Sequence, residues 1–110
     1  MTPERQVKTL IAQLRDKDKT VRQKAANALG QMGESAQAAI PALAHVLRND
    51  EDKTVRGVAA FALGQMGDAA VPALIPLLNE PALRLKVAKT LRQIGTPEAL
   101  KAIEATESKR

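Results

Sequence analysis

A 15-residue segment of this chain occurs twice. Lys19–Gly33 reads KTVRQKAANALGQMG and Lys53–Gly67 reads KTVRGVAAFALGQMG, so the two copies agree at 12 of 15 positions. Self-similarity of this kind is typical of repeat architectures, in which each unit buries its apolar face against its neighbours. For such a fold we expect function on an extended surface rather than in a catalytic cleft.

Within each copy the apolar side chains recur with the period of an amphipathic helix. In the first copy the spacing i, i+4, i+7, i+8 and i+11 holds for Val21, Ala25, Ala28, Leu29 and Met32. A strand would instead alternate apolar and polar residues. Asp18 and Asp52 precede the stripes as N-caps, and Gly33 and Gly67 follow them as C-terminal stop signals. Each copy therefore predicts one bounded helix.

A second helix follows in each unit. Pro41 and Pro72 open these helices, because proline is tolerated in a first turn, where its missing N–H would be unpaired anyway. Pro76 lies four residues after Pro72 and would remove an interior hydrogen bond, so we predict a kink or a very short helix there. A third, degenerate copy extends over Pro81–Gly95.

Together these signals predict an all-α fold, an α-α superhelix of about three helix-turn-helix repeats behind a leading half repeat. The expected boundaries, within one domain covering residues 1–110, are a leading helix at 3–16 and repeats at 18–49, 52–79 and 80–107.

The shared string TVRxxAAxALGQMG, followed by an Ala-Ile-Pro-Ala-Leu or Ala-Val-Pro-Ala-Leu segment, resembles the short HEAT-like repeat first associated with phycobilisome bilin lyases. The resemblance covers nearly the whole chain and implies a HEAT-like α-solenoid. Repeats of this type occur alike in scaffolds, lyase subunits, DNA-repair proteins and metal-binding hydroxylases. The tetratricopeptide repeat fits worse, because its motif needs Trp and Tyr and this chain has neither.

Composition argues against catalysis. The chain has no cysteine and one histidine, His45, which cannot supply a nucleophilic triad or a usual zinc site. The hydroxylases bind iron through His-Glu pairs, whereas His45 is followed by Val46. We therefore expect no enzyme activity, no metal site and no cofactor. Neither a secretory signal nor a transmembrane segment is expected, which predicts a cytoplasmic monomer without a membrane partner.

The concave face is the first candidate binding surface. In solenoids of this type the second helix of each unit lines that face. The expected surface is shallow and weakly charged, which suits a partner helix or loop. Its candidate residues are Thr9, Gln13, Ala42, His45, Ala73, Pro76 and Leu77.

Positive charge is densest in the third copy. The chain carries 17 Lys and Arg against 12 Asp and Glu, a formal charge of +5. No acidic residue stands between Glu80 and Glu98, whereas this interval holds Arg84, Lys86, Lys89 and Arg92. The run is either a solvated outer face, a site for an acidic protein partner, or a nucleic-acid site. Nucleic acid is unlikely as a partner, since Phe61 is the sole aromatic and cannot build a stacking platform.

Two further positions are ambiguous from sequence. Val58 and Phe61 are apolar where the other copies have lysine or asparagine, so they either pack between repeats or form a small docking spot on the convex side. An arginine ladder at one repeat position could bind phosphates, or each arginine could pair with a nearby carboxylate. The ladder is Arg22, Arg56 and Arg84, the carboxylates are Asp18, Asp52 and Glu80, and Arg84 is expected to be the freest.

These observations predict a non-catalytic protein-interaction module or scaffold that binds a protein partner, preferentially an acidic one, across its concave face. Two alternatives follow from the resemblance: a component of bilin attachment to or detachment from phycobiliproteins, and a nucleic-acid-binding HEAT-like protein. The near identity of two copies also keeps open a designed or consensus-selected scaffold.

Overall fold

The computed structural model describes residues 2–108 and contains no β-strand within that range. Three short 3₁₀ helices, Gly33–Ala39, Gly67–Ala70 and Ile75–Asn79, join or extend the α-helices. The predicted all-α fold is confirmed. The α-helices are α1 (Pro3–Gln13), α2 (Lys19–Met32), α3 (Ile40–Asn49), α4 (Lys53–Gln65), α5 (Val71–Leu74), α6 (Arg84–Ile94) and α7 (Pro97–Ser108).

The helices pack in two layers. The first-helix layer consists of α2, α4 and α6, with α2 against α4 and α4 against α6. The second-helix layer contains α1, α3, α5 and α7; α3 contacts α4 and α5, and α7 contacts α6 and the 3₁₀ segment Ile75–Asn79. The resulting body measures 45 × 27 × 16 Å, the elongated shape of a one-dimensional stack.

The predicted capping residues have their expected roles. The Asp18 carboxylate accepts a hydrogen bond from the Thr20 amide at 2.8 Å, and the Asp52 carboxylate accepts one from the Val55 amide at 2.9 Å. The glycines that follow the three first helices all have positive φ, which side chains with a Cβ rarely adopt. Their values are 57° for Gly33, 67° for Gly67 and 70° for Gly95.

Pro76 shortens the second helix of the middle repeat, as predicted. α5 has only four residues, and the chain continues as the 3₁₀ segment Ile75–Asn79. Proline has no amide hydrogen to donate, and its ring clashes with the carbonyl of the previous turn. The chain therefore remains helical after α5, but it winds more tightly, as a 3₁₀ helix.

Small and aliphatic side chains from both layers make the core. Leu29, Leu63 and Leu91 occupy the same position in the three repeats, and each is 0% exposed. Gly30 allows α2 to approach α4 closely, since a Cβ at this position would lie 2.8 Å from Ala62 Cα. The repeated residues thus account for packing between neighbouring units.

The arginine ladder anchors loops. Each arginine donates a hydrogen bond to the carbonyl oxygen six residues before it: Arg22 Nη1 to Asp16 at 2.9 Å, Arg56 Nη1 to Asp50 at 2.6 Å, and Arg84 Nε to Leu78 at 3.1 Å. The expected pairs with Asp18, Asp52 and Glu80 do not form, because Asp18 and Asp52 cap helices and Glu80 pairs with Arg48. Within residues 2–108 Arg84 has no carboxylate partner, but the Leu78 carbonyl holds its side chain.

Arg22 additionally joins the first two repeats. Its Nε and Nη2 donate to the two carboxylate oxygens of Asp50 at 2.8 and 3.1 Å, and the two side chains are only 9% and 6% exposed. This hydrogen-bonded carboxylate raises the pKa of Arg22 above its ordinary value, and the neighbouring charges of Glu51 and Asp52 add to the effect. The charged form of Arg22 is therefore favoured further in the folded protein.

Replacing Arg22 with lysine is expected to lower Tm by several times the change caused by Arg48→Lys. A lysine cannot donate the parallel pair of bonds to Asp50 and also reach the Asp16 carbonyl. Arg48 makes a comparable pair with Glu80, but its side chain is 54% exposed, so its loss should cost no more than about 0.5 kcal/mol. Thermal unfolding followed by circular dichroism compares the two, and equal Tm changes would contradict the structural role given to Arg22.

Candidate functional site

A groove of about 420 Å³ lies between α4 and α6 on the exposed side of the first-helix layer. We call it the α4–α6 groove. Its α4 wall is apolar and its α6 wall is mixed. The lining residues are Gly57, Ala60 and Phe61 from α4, and Leu85, Lys86, Lys89, Thr90 and Gln93 from α6.

Two large apolar side chains flank this groove without being buried in it. Phe61 on α4 is 53% exposed and Leu85 on α6 is 82% exposed. Between them, Gly57 contributes no side chain, and a Cβ built there would meet no atom within 4 Å beyond the adjoining backbone of its own helix. The combination leaves accessible apolar surface beside open space.

The groove exists because the copies differ at two repeat positions. The residue after the ladder arginine is Gln23 in the first copy, Gly57 in the second and Leu85 in the third. Four residues later, Asn27 of the first copy is replaced by Phe61. The loss of one side chain on α4 and the gain of apolar ones on both walls form the groove.

The groove is electrostatically positive. Lys86 and Lys89 line it, and Arg56 and Lys53 of α4 act on Lys86 from the opposite wall. Burial lowers the pKa of Lys86, and the positive charges of Arg56 and Lys53 lower it further. Within residues 2–108 none of these four cations forms an ion pair.

A family model described as HEAT repeats matches residues 2–63 and 40–108, and the two overlapping matches span nearly the whole chain. This chain is a member of the HEAT-repeat family. HEAT repeats generally serve as protein-interaction scaffolds. The match does not single out the bilin-lyase type of repeat. No curated protein shows significant similarity to the sequence.

The structure of this HEAT-repeat chain brings together two features that the sequence presented separately. Phe61, from the proposed convex spot, shares the α4–α6 groove with Lys86 and Lys89 of the proposed basic patch. Val58 does not line the groove, because it is partly buried against the core. The apolar spot is therefore formed by Phe61 together with Leu85.

The proposed basic patch is not one surface. Arg84 is held by the Leu78 carbonyl, and Arg92 pairs with Glu107 at 3.2 Å on the other side of α6. Leu85 was missed by the sequence reasoning, although it stands between Arg84 and Lys86, off the apolar stripe. An apolar residue at a polar repeat position, the signal that singled out Phe61, would also have identified Leu85.

The residues expected on the concave face all belong to the second-helix layer. Leu77 is wrong as a surface residue: it is 8% exposed and belongs to the core, because it occupies the repeat position of Val46, which is also buried at 6% exposure. His45 is exposed, and its Nδ1 lies 3.1 Å from Nδ2 of Asn49 on the same helix. Of the rest, Thr9, Gln13 and Pro76 are exposed, and Ala42 and Ala73 are half-buried.

Metal-binding and membrane-spanning features are absent from the part of the chain between residues 2 and 108. In that range no three His, Cys, Asp or Glu side chains lie close enough together to hold a metal ion. None of its helices combines the length and the hydrophobicity that crossing a bilayer requires.

Proposed function

We propose that this HEAT-repeat chain is a non-catalytic protein-interaction module whose docking surface is the α4–α6 groove. The observation that carries the proposal is the convergence of Phe61 and Leu85, both exposed, on one groove. Single exposed apolar residues are ordinary, whereas several around one concavity mark interaction sites. The lysines around them provide the polar rim that surrounds the apolar centre of a protein interface.

The same features favour a protein over nucleic acid. Arginine forks give the most specific phosphate contacts, and here Arg56 already donates to the Asp50 carbonyl while Arg84 donates to Leu78. Binding of single strands uses successive aromatic platforms, and Phe61 is the only aromatic residue of the chain. A groove flanked by phenylalanine and leucine instead matches apolar side chains of a protein.

The proposal is tested by capturing partners from an extract of the source organism on the immobilised chain, quantified by mass spectrometry. The groove variant Phe61→Asn with Leu85→Gln restores the residues of the first copy, Asn27 and Gln23, so it should fold normally. We expect it to retain less than about a tenth of a specific partner, since truncating central apolar contacts costs 1 to 2 kcal/mol or more. Unchanged retention of every partner would contradict the groove as the docking surface.

The second-helix layer offers the matched control. His45→Glu with Pro76→Glu changes two exposed residues of that layer and leaves the α4–α6 groove intact. We expect this variant to retain the partner. If it alone loses the partner, binding takes place on the second-helix layer, and the surface predicted first from the sequence is the correct one.

A further inference from the structure

We infer that the partner segment held by the α4–α6 groove is an amphipathic helix whose apolar stripe is flanked by acidic residues. The inference rests on the proposed function and specifies its partner. The groove combines Phe61 and Leu85, which can take up an apolar stripe, with Lys86 and Lys89, which can bind carboxylates beside it.

The helical form follows from the ways in which proteins recognise peptides. Strand addition needs a free sheet edge, and residues 2–108 contain no strand. Polyproline segments dock on grooves lined by several aromatic side chains, and this groove has Phe61 alone. An apolar groove between two helices matches a third mode, in which an amphipathic helix inserts side chains at i, i+3, i+4 and i+7.

The acidic character of the partner follows from a carboxylate that is missing at the junction between repeats two and three. Between the first two repeats, Asp50 pairs with Arg22. Leu78 takes the place of Asp50 in the next loop: its backbone carbonyl accepts the bond from Arg84, but its side chain has no carboxylate. Arg56 therefore makes no pair equivalent to the one between Arg22 and Asp50. Arg56 thus remains beside Lys86 with its charge uncompensated by the described part of the chain.

Like charges crowded at one site raise the free energy of the unbound protein. The pKa of Lys86 is lowered first by its burial and then by the positive charges of Arg56 and Lys53, so crowding contributes to the shift. A carboxylate placed among Lys53, Arg56, Lys86 and Lys89 would favour the protonated form of Lys86. Binding of an acidic helix is therefore expected to raise the pKa of Lys86 and to take up protons at alkaline pH.

Three labelled peptides of about 16 residues test the inference by fluorescence anisotropy, using the full chain. All carry the same leucine stripe at i, i+3, i+4 and i+7, and their flanking positions are all Glu, all Gln or all Lys. We expect the Glu peptide to bind at least about tenfold more tightly than the Gln peptide, and the Lys peptide to bind weakest. The preference for Glu should shrink as salt rises, because the lysines are solvent-accessible.

Gly57→Gln tests whether the groove is the site. The new side chain extends into the groove, while replacing a mid-helix glycine should stabilise α4 by about 0.5 to 1 kcal/mol. We expect higher Tm together with at least about tenfold weaker binding of the Glu peptide. Gly57→Ala is the control, since it gains similar stability and leaves most of the groove open.

The outcomes separate the inference from the proposed function. Equal binding of Glu and Gln peptides, both weakened by Gly57→Gln, would refute the acidic partner and support the groove. No peptide binding, with partner capture still lost in the Phe61→Asn and Leu85→Gln variant, would refute the helical partner only. If a double-stranded oligonucleotide, added at the same concentration of negative charge, displaces the Glu peptide, the groove recognises negative charge alone. That result would refute the inference.

Discussion

Truncating Leu63 to alanine is expected to lower the free energy of unfolding by about 3 kcal/mol. Leu63 is 0% exposed and lies on α4, the helix that packs against both α2 and α6. The variant loses the burial of the removed carbons and gains a cavity that the surrounding helices fill only partly. In a stack held by contacts between neighbours, a defect in the middle unit weakens both of its interfaces. Urea denaturation followed by circular dichroism measures the loss.

Leu85→Ala makes the same chemical change at the surface. Leu85 is 82% exposed, so its truncation should alter the free energy of unfolding by no more than about 0.5 kcal/mol. The pair therefore separates burial from side-chain chemistry. If both truncations lowered the free energy of unfolding by similar amounts, the placement of Leu63 of α4 in the core would be wrong.

Gly30→Ala is expected to destabilise the protein by about 1 to 3 kcal/mol, although alanine is the better helix former. Its Cβ would lie 2.8 Å from Ala62 Cα and 2.9 Å from Ala62 Cβ, and a backbone atom cannot move aside as a flexible side chain can. α2 and α4 would have to separate along their contact. The same denaturation measurement gives the sign of the effect.

Two other glycines provide controls, because a Cβ has more room there than at Gly30. At Gly64, the counterpart of Gly30, a Cβ would lie 3.4 Å from Thr90 Cγ2, and at Gly57 it would meet nothing within 4 Å. Gly57→Ala should stabilise the fold by about 0.5 to 1 kcal/mol through helix propensity. The change in unfolding free energy for Gly64→Ala should lie between those for Gly30→Ala and Gly57→Ala. Stabilisation by all three substitutions would mean that α2 and α4 are not in close contact.

The fold could be predicted because the residues that the repeats share act within single helices. Apolar spacing, Asp18 and Asp52 as caps, and Gly33 and Gly67 as stops each act within one helix, so one copy suffices to infer them. Pro76 acts just as locally, and its short helix was predicted. These signals need no knowledge of how one repeat sits on the next.

What the sequence could not provide is contact between repeats. The partner of Arg22 is Asp50, 28 residues away, and the other ladder bonds go to backbone carbonyls, which carry no residue-type signal. The groove needs Phe61 and Leu85 on facing helices, and only the placement of α6 against α4 shows that they share it. Leu77, in contrast, could have been placed from sequence, because its counterpart Val46 is an apolar residue one position after His45 and both are buried.

The bond between Arg22 and Asp50 also makes the two junctions between repeats unequal. It clamps repeats one and two together, and α2 packs on α4 more extensively than α4 packs on α6. At the second junction Leu78 stands in place of the bridging carboxylate, so fewer contacts fix the angle between repeats two and three. The α4–α6 groove lies at this less firmly held junction. A ligand that filled the groove would add contacts across it and would join the third repeat more firmly to the other two.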